Sequence, residues 1–155
     1  MNKTKLYLDT SIINFVFADD APDKKVVTID FFKAIKNKNI YELFISDLVL
    51  EEISKAKDPL KSKLIKIIQD YNFTVLNFDE EAEQLGNKYV TEGLIPAKYD
   101  YDAFHIAVAA IANMHAIISW NFKHIVKMKT IEGVQAVNLL LGYKPISIYS
   151  PLEVV

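Results

Sequence analysis

Acidic side chains recur in this chain where apolar runs give way to polar residues. Asp9 closes the run Leu6-Tyr7-Leu8 and is followed by the hydroxyls of Thr10 and Ser11 before apolar residues resume at Ile12 and Ile13. Glu51 and Glu52 fall early in a helical segment, Asp100 and Asp102 open an Ala-rich one, and Asn121 follows a short apolar run. A buried strand cannot carry an unpaired charge through its middle, but its C-terminal end opens on the crevice where α/β sheets bind ligands. The helix dipole stabilises an ionised carboxylate near a helix N-terminus. In a parallel sheet the strand ends and the helix starts meet at one edge, so these groups are expected to converge. Clustered carboxylates repel unless a cation joins them, and hard oxygen ligands with water suit Mg²⁺ or Mn²⁺. The pattern therefore predicts a divalent metal.

Each residue also has a structural reading. Asp9 has the side chain of a helix N-cap, and so has Asp100, which would leave Asp102 inside the first turn. Glu51 is spaced to pair with Lys55, whereas Glu52 is flanked on the helix surface by Val49 and Ile53 and lies nearer the buried side. His105 shares a face with Ala109 and reads as a core histidine, or one backing the site, rather than a ligand. Thr10 and Ser119 can meet a phosphate or bond nearby backbone. Lys123 and His124 can contact phosphate or lie solvated, and Tyr99, Tyr101 and Trp120 can stack on bases or pack.

The elements that would position these residues alternate between strand-like and helix-like. Strands are expected at residues 5–9, 41–45, 73–76 and 116–119, with an edge strand at 146–149. Helices are expected at 11–18, through Val26, Ile29, Phe32 and Ile35 with Phe31 widening the apolar face, and after a cap at Ser46 or Asp47. Further helices should run from Asp58-Pro59 to about Asp70, from a cap at Asp79 through Tyr89, from Asp100 or Tyr101 to about Met114, and through a stretch ending near Gly142. This order predicts an α/β sandwich around a mainly parallel sheet.

The 155 residues fit one domain, 1–155, with a single core. Hydrophobic residues make up 51% of the chain and charged residues 25%, a balance that excludes a disordered protein. The absence of cysteine excludes disulfides, thiolate metal sites and a cysteine nucleophile, and is compatible with a reducing cytoplasm. No signal-like or membrane-spanning run is present, so a cytoplasmic protein without membrane attachment is expected. The net charge of −2 gives no general attraction to nucleic acid, so such binding requires a local basic patch or a metal.

Taken together, Leu8-Asp9-Thr10-Ser11, the segment Ser46 to Ile53, Asp102-Ala-Phe-His-Ile-Ala and Ser119-Trp-Asn-Phe-Lys-His-Ile resemble the PIN-domain family, and within it the VapC-type toxins of toxin–antitoxin pairs. The resemblance implies a three-layer α/β/α sandwich and a Mg²⁺- or Mn²⁺-dependent endoribonuclease that hydrolyses RNA phosphodiester bonds. By position, Asp9, Glu52 and Asp102 match the acidic triad that holds the metal. The fourth catalytic position, often Asp in the family, is Asn121 here, which removes one negative charge. Thr10 and Ser119 match polar positions that line the site, and Lys123 is added as a substrate contact. The resemblance further implies an antitoxin protein partner and a homodimer. Asn121 leaves open a catalytically weak PIN-like module that binds RNA or protein. A phosphatase with Asp9 as nucleophile fits less well, since the second Asp two residues on, common in such enzymes, is Ser11.

Overall fold

Residues along the inner strands alternate between two apolar cores, and this alternation sets the positions of the helices. A computed structural model describes residues 2–154. The strands β1 (Thr4–Leu8), β2 (Tyr41–Ser46), β3 (Thr74–Leu76), β4 (Ala116–Ile118) and β5 (Ser147–Tyr149) form one five-stranded sheet in the order β3-β2-β1-β4-β5. Every neighbouring pair is parallel. The helices are α1 (Thr10–Asn14), α2 (Pro22–Lys38), α3 (Asp47–Ser54), α4 (Leu60–Asp70), α5 (Glu80–Thr91), α6 (Asp100–Ile111) and α7 (Met128–Leu141).

Leu6, Leu8, Leu43, Ile45 and Ile118 pack with Ile12, Phe31, Val49 and Leu64, which places α1 to α4 on one face of the sheet. Tyr7, Phe44, Ile117 and Ile148 pack with Leu85, Ile106 and Val134, which places α5 to α7 on the other. The result is the expected three-layer α/β/α sandwich, with a sheet that is parallel throughout. Burial on both faces explains why the strands read as short, nearly continuous apolar runs.

Several expected details differ. Val26 is 58% exposed, and the buried stripe of α2 is Thr28, Phe31, Phe32 and Ile35. A constant spacing of three drifts around a helix, so Val26 and Ile35, nine residues apart, lie about 180° apart. The expected helix 11–18 divides into α1 and the 3₁₀ turn Phe15–Phe17. The Ala-rich helix ends at Ile111 rather than near Met114, with Asn113 beyond it in the left-handed region at φ 58°, which Asn tolerates. Neither Asp100 nor Asp102 caps α6: the N-cap is Tyr99, and both acids lie in the first turn.

Candidate active site

Asp9 both caps a helix and carries a buried charge beside the sheet. Its Oδ1 accepts from the Ser11 amide at 3.1 Å and the Ser11 hydroxyl at 2.5 Å, and its Oδ2 accepts from Ser119 Oγ at 2.5 Å. Ser11 Oγ also accepts from the Trp120 amide at 2.9 Å, and Asn121 N donates to Ser119 Oγ at 2.9 Å. The ends of the adjacent strands β1 and β4 are thus joined through the Asp9 carboxylate. Burial pushes its pKa above the usual carboxylate value, against the lowering effects of His105, Ser11 and Ser119.

Asp102 reaches the same edge from the first turn of α6. Its Oδ2 accepts from Asn121 Nδ2 at 3.0 Å, while Asn121 Oδ1 accepts from the His124 amide at 2.9 Å. Burial, and next the charge of Asp9, raise Asp102 to about 6. Asp102 is linked to Asp9 through Asn121, whose amide N–H donates to the same Ser119 Oγ that donates to Asp9.

Glu52 is held differently. Its Oε1 accepts from Thr10 Oγ1 at 2.9 Å and lies 2.7 Å from His105 Nε2. Burial acts to raise its pKa, but the hydrogen bond and charge of His105, with Thr10 and Lys55, outweigh this and lower it. Glu51, by contrast, is exposed, accepts from Tyr101 OH at 2.9 Å and lies 3.8 Å from Lys55.

His105 is 3% exposed and satisfied at both ring nitrogens, since Nδ1 lies 2.7 Å from Tyr7 OH, itself 2.7 Å from Ser46 Oγ. An ionised carboxylate only accepts, so Nε2–H donates to Glu52. In the neutral ring Nδ1 then accepts from Tyr7, and Tyr7 accepts from Ser46. Ser46 Oγ also accepts from the Leu48 amide at 3.2 Å, capping α3, the helix that carries Glu52. Burial alone would lower the His105 pKa, but Glu52, Asp9 and Asp102 raise it.

Thr10 and Ser119, expected to face phosphate, are 6% and 0% exposed and donate their hydroxyls to Glu52 and Asp9, so they orient acids. Lys123 is exposed, whereas His124 is buried beneath Tyr99 rather than solvated. Trp120 is 4% exposed with Nε1 donating to Thr28 Oγ1 at 2.8 Å, which makes it a packing residue. Sequence reading passed over Tyr7 and did not link Ser46 to the site. The signal for both was a tyrosine within an apolar strand, because a buried phenol needs a partner for its hydroxyl.

Among the described residues no three His, Asp or Glu side chains are grouped as they would be around one ion. Glu52 is tied back to Thr10 and His105, which leaves Asp9 and Asp102 as the two carboxylates linked through Ser119 and Asn121. Two repelling, desolvated carboxylates suit Mg²⁺ or Mn²⁺, since Mg²⁺ commonly takes one or two carboxylates and keeps several waters. The donor set therefore fits such an ion, with Glu52 set to one side. A groove of about 550 Å³ runs from Glu52 past Asn14, Phe15 and Lys55. A larger cavity of about 1120 Å³ lies at the opposite sheet edge, around Thr4, Tyr41 and His115, away from the acids.

The all-parallel sheet with helices on both faces is a PIN-like α/β/α fold, with the acids at the C-terminal edge of the sheet. Among solved structures, the chain is similar to VapBC2 from Rickettsia felis bound to a DNA fragment from their promoter, with a TM-score of 0.59 and 16% identity over 95% of this chain and 98% of that one. It is also similar to VapC20 of Mycobacterium tuberculosis, a toxin that cleaves the sarcin–ricin loop, with a TM-score of 0.57 and 13% identity over 77% of this chain and 92% of that one. No protein-family model and no curated protein matches the sequence. At these identities the likeness establishes a shared fold.

Proposed function

We propose that the chain is a Mg²⁺- or Mn²⁺-dependent endoribonuclease that hydrolyses RNA phosphodiester bonds and serves as the toxin of a toxin–antitoxin pair. The observation that carries this reading is the hydrogen-bonded linkage at the strand ends, where Ser119 meets Asp9 and the Asn121 amide, Asn121 meets Asp102, and Thr10 next to Asp9 meets Glu52. The folds of two VapC-type structures support it.

Asp9 and Asp102 would hold the ion, directly or through water. When bound, it supplies positive charge for the phosphate and lowers the pKa of coordinated water. Ser11 and Ser119 fix the Asp9 carboxylate, and Asn121 fixes that of Asp102. Glu52 stays ionised beside His105, and its Oε2 has no hydrogen-bond partner among the described residues. That oxygen is free to orient the attacking water and accept its proton. His105, locked by Tyr7, keeps Oε1 occupied so that Oε2 carries this role.

On this reading a small antitoxin covers the site, and the toxin pairs with a second copy. Support for association comes from α7, where Met128, Leu139 and Leu140 are 73%, 80% and 85% exposed. No described helix is long and apolar enough to cross a membrane. A cytoplasmic location is part of the proposal.

Incubating the protein with a mixed RNA panel and Mn²⁺ or Mg²⁺, beside an Asp9→Asn variant of confirmed fold, tests the reading. Cleavage that needs metal and is lost in the variant supports it. Asn121 and the spacing of the acids favour one second reading, a PIN-like module that binds RNA or protein without turnover. RNA affinity unchanged by EDTA, with no cleavage at any Mn²⁺ concentration, would select it.

A further inference from the structure

Beside the acids lies a second cluster, built around an exposed ring. Tyr99 ends the 3₁₀ turn Ala97–Tyr99 and directly precedes α6, whose first turn holds Asp102. Its ring is 39% exposed and stacks on the His124 imidazole with centroids 4.4 Å apart and planes at 29°. The ammonium groups of Lys98 and Lys123 lie 5.8 and 5.9 Å from the ring centroid. Burial, together with Lys123 and Lys127, holds the His124 pKa low, so the platform under Tyr99 is neutral and flat.

Among the described residues Lys98, Lys123 and Lys127 make no salt bridge, whereas Lys25 and Lys88 pair with Asp19 and Glu92 at 2.5 and 2.8 Å. Cations gathered near one ring repel each other, and cation–π attraction at an exposed site offsets that only by roughly 0.5–1 kcal/mol. An anion would relieve the repulsion. The cluster also supplies the local basic patch that an acidic chain of net charge −2 needs to meet a polyanion. It is coupled to the acids through Asn121, whose Oδ1 accepts from the His124 amide at 2.9 Å while its Nδ2 donates to Asp102 at 3.0 Å. A strand positioned over Asp102 would therefore meet the stack through an adjoining nucleotide.

We infer that Tyr99, seated on His124 and flanked by Lys98 and Lys123, is a subsite for one unpaired base of an RNA strand and the phosphates next to it. This rests on the ribonuclease reading and adds where the substrate lies. Aromatic stacking accepts any base but requires it to be unpaired, so the subsite selects single-stranded or loop RNA without demanding a sequence.

The test measures binding of a labelled single-stranded oligoribonucleotide by fluorescence anisotropy in EDTA, where cleavage plays no part. Tyr99→Ala should weaken binding roughly 5- to 100-fold, as expected when one base stack is removed, while Tyr99→Phe stays within about 2-fold of wild type. Replacing Lys98 and Lys123 by Ala should flatten the log–log salt dependence by about 0.7 for each phosphate that is no longer neutralised. An abasic probe should bind wild type more weakly and erase the difference between wild type and Tyr99→Ala. Thermal melting establishes that each variant is folded, and the exposed lysine pair gives an independent reading if Tyr99→Ala is not. Wild-type binding that Tyr99→Ala leaves unchanged would overturn the subsite and leave the ribonuclease reading standing. Loss of binding in Tyr99→Phe equal to that in Tyr99→Ala would overturn stacking. Absence of RNA binding by the wild type in EDTA would overturn the subsite, while the ribonuclease reading stands or falls on cleavage with Mn²⁺.

Discussion

His105 Nε2 lies 2.7 Å from Glu52 Oε1, and this contact joins an acid at the sheet edge to a hydrogen-bonded chain running through Tyr7 to Ser46 in the core. Glu52 is thereby kept ionised and fixed at one oxygen, while Asp9 and Asp102, which repel each other, resist ionisation. Carboxylates whose environments push their pKa values apart are suited to different roles. Here one handles a proton and the other two hold a cation.

Tyr7→Phe tests that chain. The substitution keeps the ring but leaves His105 Nδ1 without a partner and the Ser46 hydroxyl proton without an acceptor at a fully buried position, at an expected cost of about 1–3 kcal/mol. Urea unfolding should report this loss, and ¹⁵N spectra of His105 should show Nδ1 losing its hydrogen bond while Nε2–H stays on Glu52. The proposed cleavage should slow through kcat rather than KM. An unchanged His105 spectrum would mean that Tyr7 does not hold Nδ1.

Asp9→Asn should abolish cleavage and leave the fold intact. Asn caps helices about as well as Asp and can still accept from Ser11, so α1 should persist while the charge for the cation is gone. Circular dichroism and an RNA cleavage assay measure the two halves of this expectation. Activity equal to wild type would remove Asp9 from the site.

Asn121→Asp should reverse the sign of one contact. In place of an amide donating to Asp102 Oδ2 at 3.0 Å, a second carboxylate would face it, so the metal-free protein should melt at a lower temperature. The added charge should tighten Mn²⁺ binding, so that saturating Mn²⁺ raises the melting temperature more in the variant than in wild type. Titrations followed by thermal melting read both effects.

The metal-free protein should lose stability as pH rises from about 5 to 8. Asp102 is raised from 3.8 to about 6, and Asp9 is raised as well, so each keeps its proton longer when folded. Their contribution is complete below the unfolded values and declines as pH climbs through the folded ones. The raised His105 acts in the same direction, its contribution present below 6.5 and lost as pH rises through its folded value. The lowered Glu52 acts oppositely, with its contribution lost only as pH falls below about 4.5. Urea unfolding across this range in EDTA should show the decline, and saturating Mn²⁺ should remove the share due to Asp9 and Asp102 because the ion binds the deprotonated pair.

The alternation of short apolar runs with amphipathic segments determined the α/β class and the approximate elements, because periods of 2.0 and 3.6 are written in the residues themselves. It also placed Asp9, Asp102 and Asn121 at element boundaries, whereas Glu52, expected early in its helix, lies in the last turn of α3. Other features required the tertiary structure. The stripe of α2 depends on Trp120, which reaches Thr28 from 92 residues away, and no local period encodes such a contact. The roles of Thr10 and Ser119 as hydroxyls turned onto acids, and of Tyr7 as the lock on His105, arise only when β1, α3, α6 and β4 meet. Tyr99 and His124 become a stack in the same way, 25 positions apart in sequence and in contact in space. Side-chain type sets what a residue can donate or accept, but distance and burial decide which partner it finds, and both are set by the packing of elements far apart in the chain.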